Sequence, residues 1–137
     1  MKTLRMTGLA AAGLLLAAVG AGAQTPPALY TAAQATAGEA VYAQSCAMCH
    51  GANLEGQAGP ALVGASFAST SSSKTIGTVF TGITQTMPAS NPGGLTHEQY
   101  TDVMAYILSK NGYPAGTTAL DYTASLASTV PLVSQAK

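Results

Sequence analysis

Charge is what this chain has least of. Five Lys and Arg and five Asp and Glu are spread over 137 residues, 7% of the total. The basic residues form no patch or stripe, which excludes nucleic acid as a partner, and long-range steering of any protein partner must be weak. Long apolar runs are equally scarce. Beyond the first two dozen residues no segment approaches the roughly 20 apolar residues that a helix needs to cross a bilayer, so no membrane span is expected in the mature chain. Cysteine occurs only twice, at positions too close to frame a disulfide-stapled fold. Neither an internal repeat nor a convincing pair of strands is present.

The longest apolar stretch, residues 9–19, follows Lys2 and Arg5 and precedes Ala21-Gly22-Ala23 and a Gln24-Thr25-Pro26-Pro27 break. These are the parts of a secretory signal peptide, expected to occupy residues 1–23 and to be cleaved. A retained N-terminal anchor is the rival reading, but the stretch is well short of a bilayer-spanning helix. The mature chain is then exported and of single-domain size. It keeps Lys74, Lys110 and Lys137 against Glu39, Glu55, Glu98, Asp102 and Asp121, a slightly negative balance.

The two cysteines fall in Cys46-Ala47-Met48-Cys49-His50, the attachment sequence of c-type haem. On a helical turn, residues three apart share a face, so both thiols can reach the two vinyl groups along one edge of a porphyrin. His50 then follows to meet the iron. Rival readings are weaker. A thioredoxin-like redox pair has no use for the histidine and belongs near a βαβ pattern. Zinc would need four ligands, and beyond Cys46, Cys49 and His50 only His97 is an obvious further candidate. A disulfide between residues three apart would waste the histidine. Export fits as well, since c-type haem is attached outside the cytoplasm, and two thioethers leave no cysteine for a disulfide.

Around the motif the chain reads as helices separated by loops. Residues 24–35 look irregular, and the capping box Thr36-Ala37-Gly38-Glu39 predicts a helix from about 37 into the cysteines. Val41, Tyr42 and Cys46 form its inward stripe, and Gly38 offers a place where another helix can approach closely. Gly51, Gly56, Gly59, Pro60 and Gly64 mark a loop over 51–64, in which Pro60, Ala61 and Leu62 are placed to touch a cofactor. After a Ser/Thr turn at 69–73, Ile76, Val79, Phe80 and Ile83 predict a helix over about 74–83. Residues 84–95 hold too many breakers for a regular element. A second box at Thr96 and Gln99 opens a helix over about 97–110, with Tyr100, Val103, Met104, Ile107 and Leu108 inward and Glu98, Asp102 and Lys110 on other faces. Asn111-Gly112 ends it. Residues 113–137 show no period and read as an extended tail on the surface or partly disordered.

With His50 on one side of the iron, the other side needs a ligand, and a neutral, soft thioether there favours the ferrous state. Met1 and Met6 leave with the signal peptide, and Met48 lies inside the motif, pointing the wrong way. Met104 sits mid-stripe, where methionine is usually core filling. His97 begins an exposed helix. Met87 remains, in a loop that can cross the far face of the haem, with Pro88 fixing the chain direction behind it.

These residues resemble the class I, single-haem c-type cytochromes over roughly residues 36–112. The resemblance is carried by Gly38 and Tyr42, the motif with Gly51, Gly59-Pro60-Ala61-Leu62, Met87-Pro88 and Tyr106. It implies an all-α, cytochrome c-like fold of three to four helices and loops wrapped around one covalent haem c with its iron. A cytochrome domain over 24–112 would be followed by a C-terminal extension over 113–137. Gly38 and Tyr106 would mark the crossing of first and last helices, the Pro60 carbonyl would accept a hydrogen bond from His50, and Leu62 would pack on the ring. The stretch from Met87 through Tyr100, with Asn111-Gly112-Tyr113-Pro114, is further similar to cytochrome domains associated with quinoprotein alcohol or sugar dehydrogenases. The lysine-rich face of mitochondrial cytochrome c is absent.

An iron with both axial positions filled implies a periplasmic electron carrier and not an enzyme. Its expected partners are redox proteins, a dehydrogenase as donor and an oxidase or another cytochrome as acceptor, with the chain a monomer or a dehydrogenase subunit. Two alternatives stay open: a subunit held permanently by a dehydrogenase, and a haem enzyme or sensor whose sixth ligand is labile.

Overall fold

A computed structural model describes residues 25–136. The expected signal peptide, residues 1–23, lies outside them. Among the described residues the chain is helical, with α1 Ala32–Ser45, α2 Ala47–His50, α3 Ile76–Thr86, α4 His97–Lys110 and α5 Tyr122–Leu126, and β-pairing is limited to two isolated bridges. Two of the helices, α2 and α5, are single-turn elements that the apolar period could not reveal.

α4 is the axis of the core. Residues 100–108 are all buried, so this helix is covered on every side instead of along one stripe. Its ends follow local chemistry: Thr96 and Gln99 cap each other reciprocally at the start, and Gly112 takes a left-handed φ of 82° just beyond the end. Asp102, expected off the inward stripe, is nonetheless only 7% exposed. The reason is α1, which lies across α4 with Gly38 so close that a Cβ there would stand 1.8 Å from the Asp102 carbonyl oxygen. Burial raises the Asp102 carboxyl above the usual carboxylate range, and Glu98 one turn earlier adds to the rise.

The α1–α4 crossing is the largest interface between helices. α1 buries only Gly38 and Tyr42, because it approaches by backbone at the glycine and then inserts one aromatic. Tyr42 packs on Tyr106 with ring centroids 5.3 Å apart. The helix starts earlier than Thr36 would have it. Thr31 is the N-cap and pairs with Gln34 in a reciprocal box, while the Thr36 hydroxyl donates to the Ala32 carbonyl within the helix. A tertiary clasp decides between the two boxes, for the Gln34 side chain both donates to the Leu120 carbonyl (3.1 Å) and accepts from the Leu120 N–H (2.8 Å).

α3 starts at Ile76, capped by Thr75 and Thr78, and buries Ile76 and Phe80. The tail then wraps the domain. Tyr30 donates to the Tyr113 carbonyl, Ile76 N–H donates to Val130, Leu132 N–H donates to Lys74, and the Leu132 side chain is fully buried. These contacts are irregular in spacing, which is why no period announced them. Burying a leucine of this kind contributes about 1.5–3 kcal/mol.

Candidate haem site

The site is built where α1 gives way to α2. Cys46 leaves helical geometry, with φ −128° and ψ −36°, and serves as the C-cap of α1 and the N-cap of α2. The N–H groups of Cys49 and His50 both return to the Cys46 carbonyl, at 3.1 and 3.0 Å. One tight turn therefore carries both sulfurs, each half-buried and free. The expected continuous helix into the cysteines is thus broken at Cys46. Gly51 ends the turn at a φ of 83°, a conformation that costs glycine little and other residues more.

Tyr42 locks this turn to α1. Its hydroxyl donates to the Gly51 carbonyl at 2.7 Å. Burial first, then the neighbouring Cys46, Tyr106 and Glu55, push its phenol up to about 12, so it stays a neutral donor across physiological pH. Burial, reinforced by Cys49, also pushes the Cys46 thiol up. A reactive redox cysteine needs the opposite shift, so the thioredoxin-like reading loses its chemistry. Among the described residues no three His, Cys, Asp or Glu side chains converge, which leaves zinc without a donor set.

The loop after Gly51 folds back over the motif. Gly56 N–H donates to the His50 carbonyl (2.7 Å), Gly59 N–H to the Cys49 carbonyl (2.7 Å), and Leu62 N–H to the Leu54 carbonyl (2.8 Å). This brings the Pro60 carbonyl within 2.8 Å of His50 Nδ1. A carbonyl only accepts, so Nδ1 carries the proton and Nε2 keeps its lone pair for a metal. The ring is 7% exposed. Gly59 makes room for it, since a Cβ there would lie 2.8 Å from His50 Cε1. Leu62 is half-buried against the core.

Cys46, Cys49, His50 and Pro60 thus form one hydrogen-bonded unit. Met87 stands on a separate segment, as the C-cap of α3 in an extended conformation, half-buried. Its carbonyl accepts from the Tyr100 hydroxyl at 2.7 Å, which ties its loop to the core helix and leaves the thioether unconstrained by main-chain bonding. The competing candidates are placed elsewhere. Met104 is fully buried in the core, Met48 is 86% exposed, and His97 stacks on Tyr122 at 3.7 Å. Tyr42, Gly59 and Tyr100 are supports whose roles at the site the sequence did not disclose, since a tyrosine or glycine in a pattern carries no sign of what its hydroxyl or missing side chain meets.

A metal-ready imidazole oriented by a proline carbonyl, beside two free sulfurs on one turn, fits a covalently held haem and defines a c-type cytochrome domain. The family model described as cytochrome c oxidase, cbb3-type, subunit III matches residues 33–107, more than half of the chain. The chain belongs to this family, and as a c-type cytochrome domain it binds haem c covalently and transfers electrons. Among solved structures it is similar to a chain of the sulfane dehydrogenase SoxCD from Paracoccus pantotrophus, with 25% sequence identity and a TM-score of 0.54 over 74% of this chain and 53% of that one. The chain therefore spans about half the length of that relative. No curated protein matches it.

Proposed function

We propose that this chain is an exported one-electron carrier whose haem is held by Cys46 and Cys49 and ligated axially by His50 and Met87, with Pro60 and Leu62 forming the pocket on the histidine side. The cytochrome domain would cover residues 24–112 and the wrapped extension 113–137. Bound haem supplies a reversible iron couple. The observation that carries the reading is the 2.8 Å contact from His50 Nδ1 to the Pro60 carbonyl. It fixes the tautomer and ring orientation and raises the basicity of the imidazole.

The protein's own contribution is to hold these groups still. Tyr42 anchors the turn that carries the cysteines, Gly59 admits the ring, and Tyr100 restrains the chain at Met87. With His50 and Met87 both holding the iron, no position would be left for oxygen or peroxide, and the domain would pass electrons without performing chemistry on a substrate. Its donor would be a periplasmic dehydrogenase, of quinoprotein or similar type, and its acceptor a component of the respiratory chain. Among the described residues no helix is long and apolar enough to cross a membrane. With so little charge, docking would rest on apolar and short polar contacts, in the small and short-lived complexes usual for redox encounters.

A redox titration with carbon monoxide as a probe tests this. The expected result is a single reversible one-electron wave and no spectral change when carbon monoxide meets the ferrous protein. Immediate carbon monoxide binding by the wild type would contradict the second axial ligand. One observation favours a bound-subunit variant: the similar solved chain belongs to a sulfane dehydrogenase and is nearly twice as long as the matched part. Gel filtration of the natively expressed protein separates the two, since a free carrier elutes as one processed chain, below the 13.6 kDa of the full sequence, and a bound subunit elutes far above it.

A further inference from the structure

Asn111 is completely buried, and its side chain makes no hydrogen bond to Cys46, Cys49, His50 or Pro60. Its place at the end of α4 would explain an asparagine as a helix terminator. Its side chain, however, spends its bonds on the loop that carries Pro60. Nδ2 donates to the Leu62 carbonyl at 2.9 Å as well as to Ile107 at 2.8 Å, and Oδ1 accepts from Gly64 N–H at 3.3 Å. The same Gly64 N–H also reaches the Ser134 hydroxyl at 3.1 Å. Ser134 N–H in turn donates to Ala68, and the Asn111 carbonyl accepts from Gln135 N–H at 2.9 Å. The tail packs tightly on this turn, for a Cβ on Gly112 would lie 2.7 Å from Gln135 Cβ.

We propose that Asn111, with Ser134 of the tail, is a positioning clamp for the His50 hydrogen bond: it holds Leu62 and Gly64 so that the Pro60 carbonyl stays on Nδ1, and thereby sets the reduction potential. This rests on the assignment of His50 as the axial ligand. The loop is otherwise pinned from the motif side, by Leu62 N–H to Leu54 and by Gly56 and Gly59 N–H to the His50 and Cys49 carbonyls, so without the clamp its Leu62–Gly64 end loses its anchor to α4 and the tail. A slack loop weakens the bond to Nδ1, which makes the imidazole a poorer donor, destabilises the ferric state and raises the potential. The tail then has a function beyond covering the core, because the residue that completes the clamp lies within it.

The test uses the haem-loaded full chain with Asn111→Leu and, because burial makes that change the harsher one, Ser134→Ala as a variant that retains every core contact. Amide exchange at Gly64 reports the clamp directly, and spectroelectrochemistry reports the potential. Both variants are expected to speed Gly64 exchange and to raise the potential. The ferric-to-ferrous ratio at a fixed applied potential should fall about two- to fivefold for Asn111→Leu, about 20–40 mV at 59 mV per tenfold, and less for Ser134→Ala. Faster Gly64 exchange with an unchanged potential in both variants would overturn the inference, as it would show a purely structural tie. Failure of the underlying ligand assignment looks different: His50→Ala would then keep the wild-type spectrum, whatever the clamp variants do.

Discussion

Gly38→Ala is the sharpest test of how this fold is assembled, because two opposing effects of known size meet there. Alanine is the better helix former by about 1 kcal/mol, so in an isolated α1 the change would stabilise. In the protein the new methyl carbon would stand 1.8 Å from the Asp102 carbonyl oxygen and 2.4 Å from its carbon. Both are backbone atoms of a helix buried over residues 100–108, and no side chain can swing aside. Carbon-to-oxygen contacts close no nearer than about 3.3 Å, so the helices must part by about 1.5 Å. That gap separates Tyr42 from Tyr106, now 5.3 Å between centroids, and gaps of this size forfeit much of the dispersion contact. Overpacking costs at the top of the usual range, about 3 kcal/mol, leave a net loss of about 2 kcal/mol after the propensity gain. Thermal melting of the haem-loaded protein followed by far-ultraviolet circular dichroism should show a fall of about 10 °C. A melting temperature equal to or above the parent's would refute the close backbone crossing.

Other perturbations probe separate parts of the account. Tyr100→Phe deletes the 2.7 Å bond to the Met87 carbonyl and should cost about 1 kcal/mol in denaturant melts, with carbon monoxide displacing the sixth ligand more readily than in the wild type. Leu132→Ala should cost about 2–5 kcal/mol, the loss typical of a fully buried leucine; a tail that merely lies on the surface would show almost none. Asp102 is held above its usual range by burial and by Glu98, so the folded state binds a proton more tightly than the unfolded one. Its contribution to stability is fully present below the unfolded value, about 3.9, and is lost as pH rises through the folded value. Asp102→Asn should therefore be more stable than the parent at neutral pH, with the difference vanishing in urea titrations below about pH 4.

Much of this architecture was legible because local signals and tertiary structure agree. α4 ran from a reciprocal cap at Thr96 to a left-handed Gly112, and its five inward residues are buried as the period required. The spacing of Cys46, Cys49 and His50 disclosed the cofactor without any knowledge of the fold. Other features were hidden for identifiable reasons. Thr36 and Glu39 spell a capping box as well as Thr31 and Gln34 do, and only the long-range clasp of Gln34 on Leu120 selects the second. Asp102 carries a polar label that says nothing of a glycine sixty residues away whose missing side chain allows it to be covered. Asn111 looks like a terminator from its neighbours alone, while its bonds to Leu62 and Gly64 exist only in three dimensions. The tail has no period because each of its anchors, Tyr113, Leu120, Val130 and Leu132, answers a different partner.

The central claim, a haem closed on one side by His50 and on the other by Met87, is tested most directly by near-infrared absorption of the ferric protein. The account expects the sulfur-to-iron charge-transfer band in the wild type and its loss in Met87→Ala, which should keep its covalent haem and gain the ability to bind added ligands. A wild-type spectrum without that band, or a Met87→Ala spectrum that retains it, would contradict the claim.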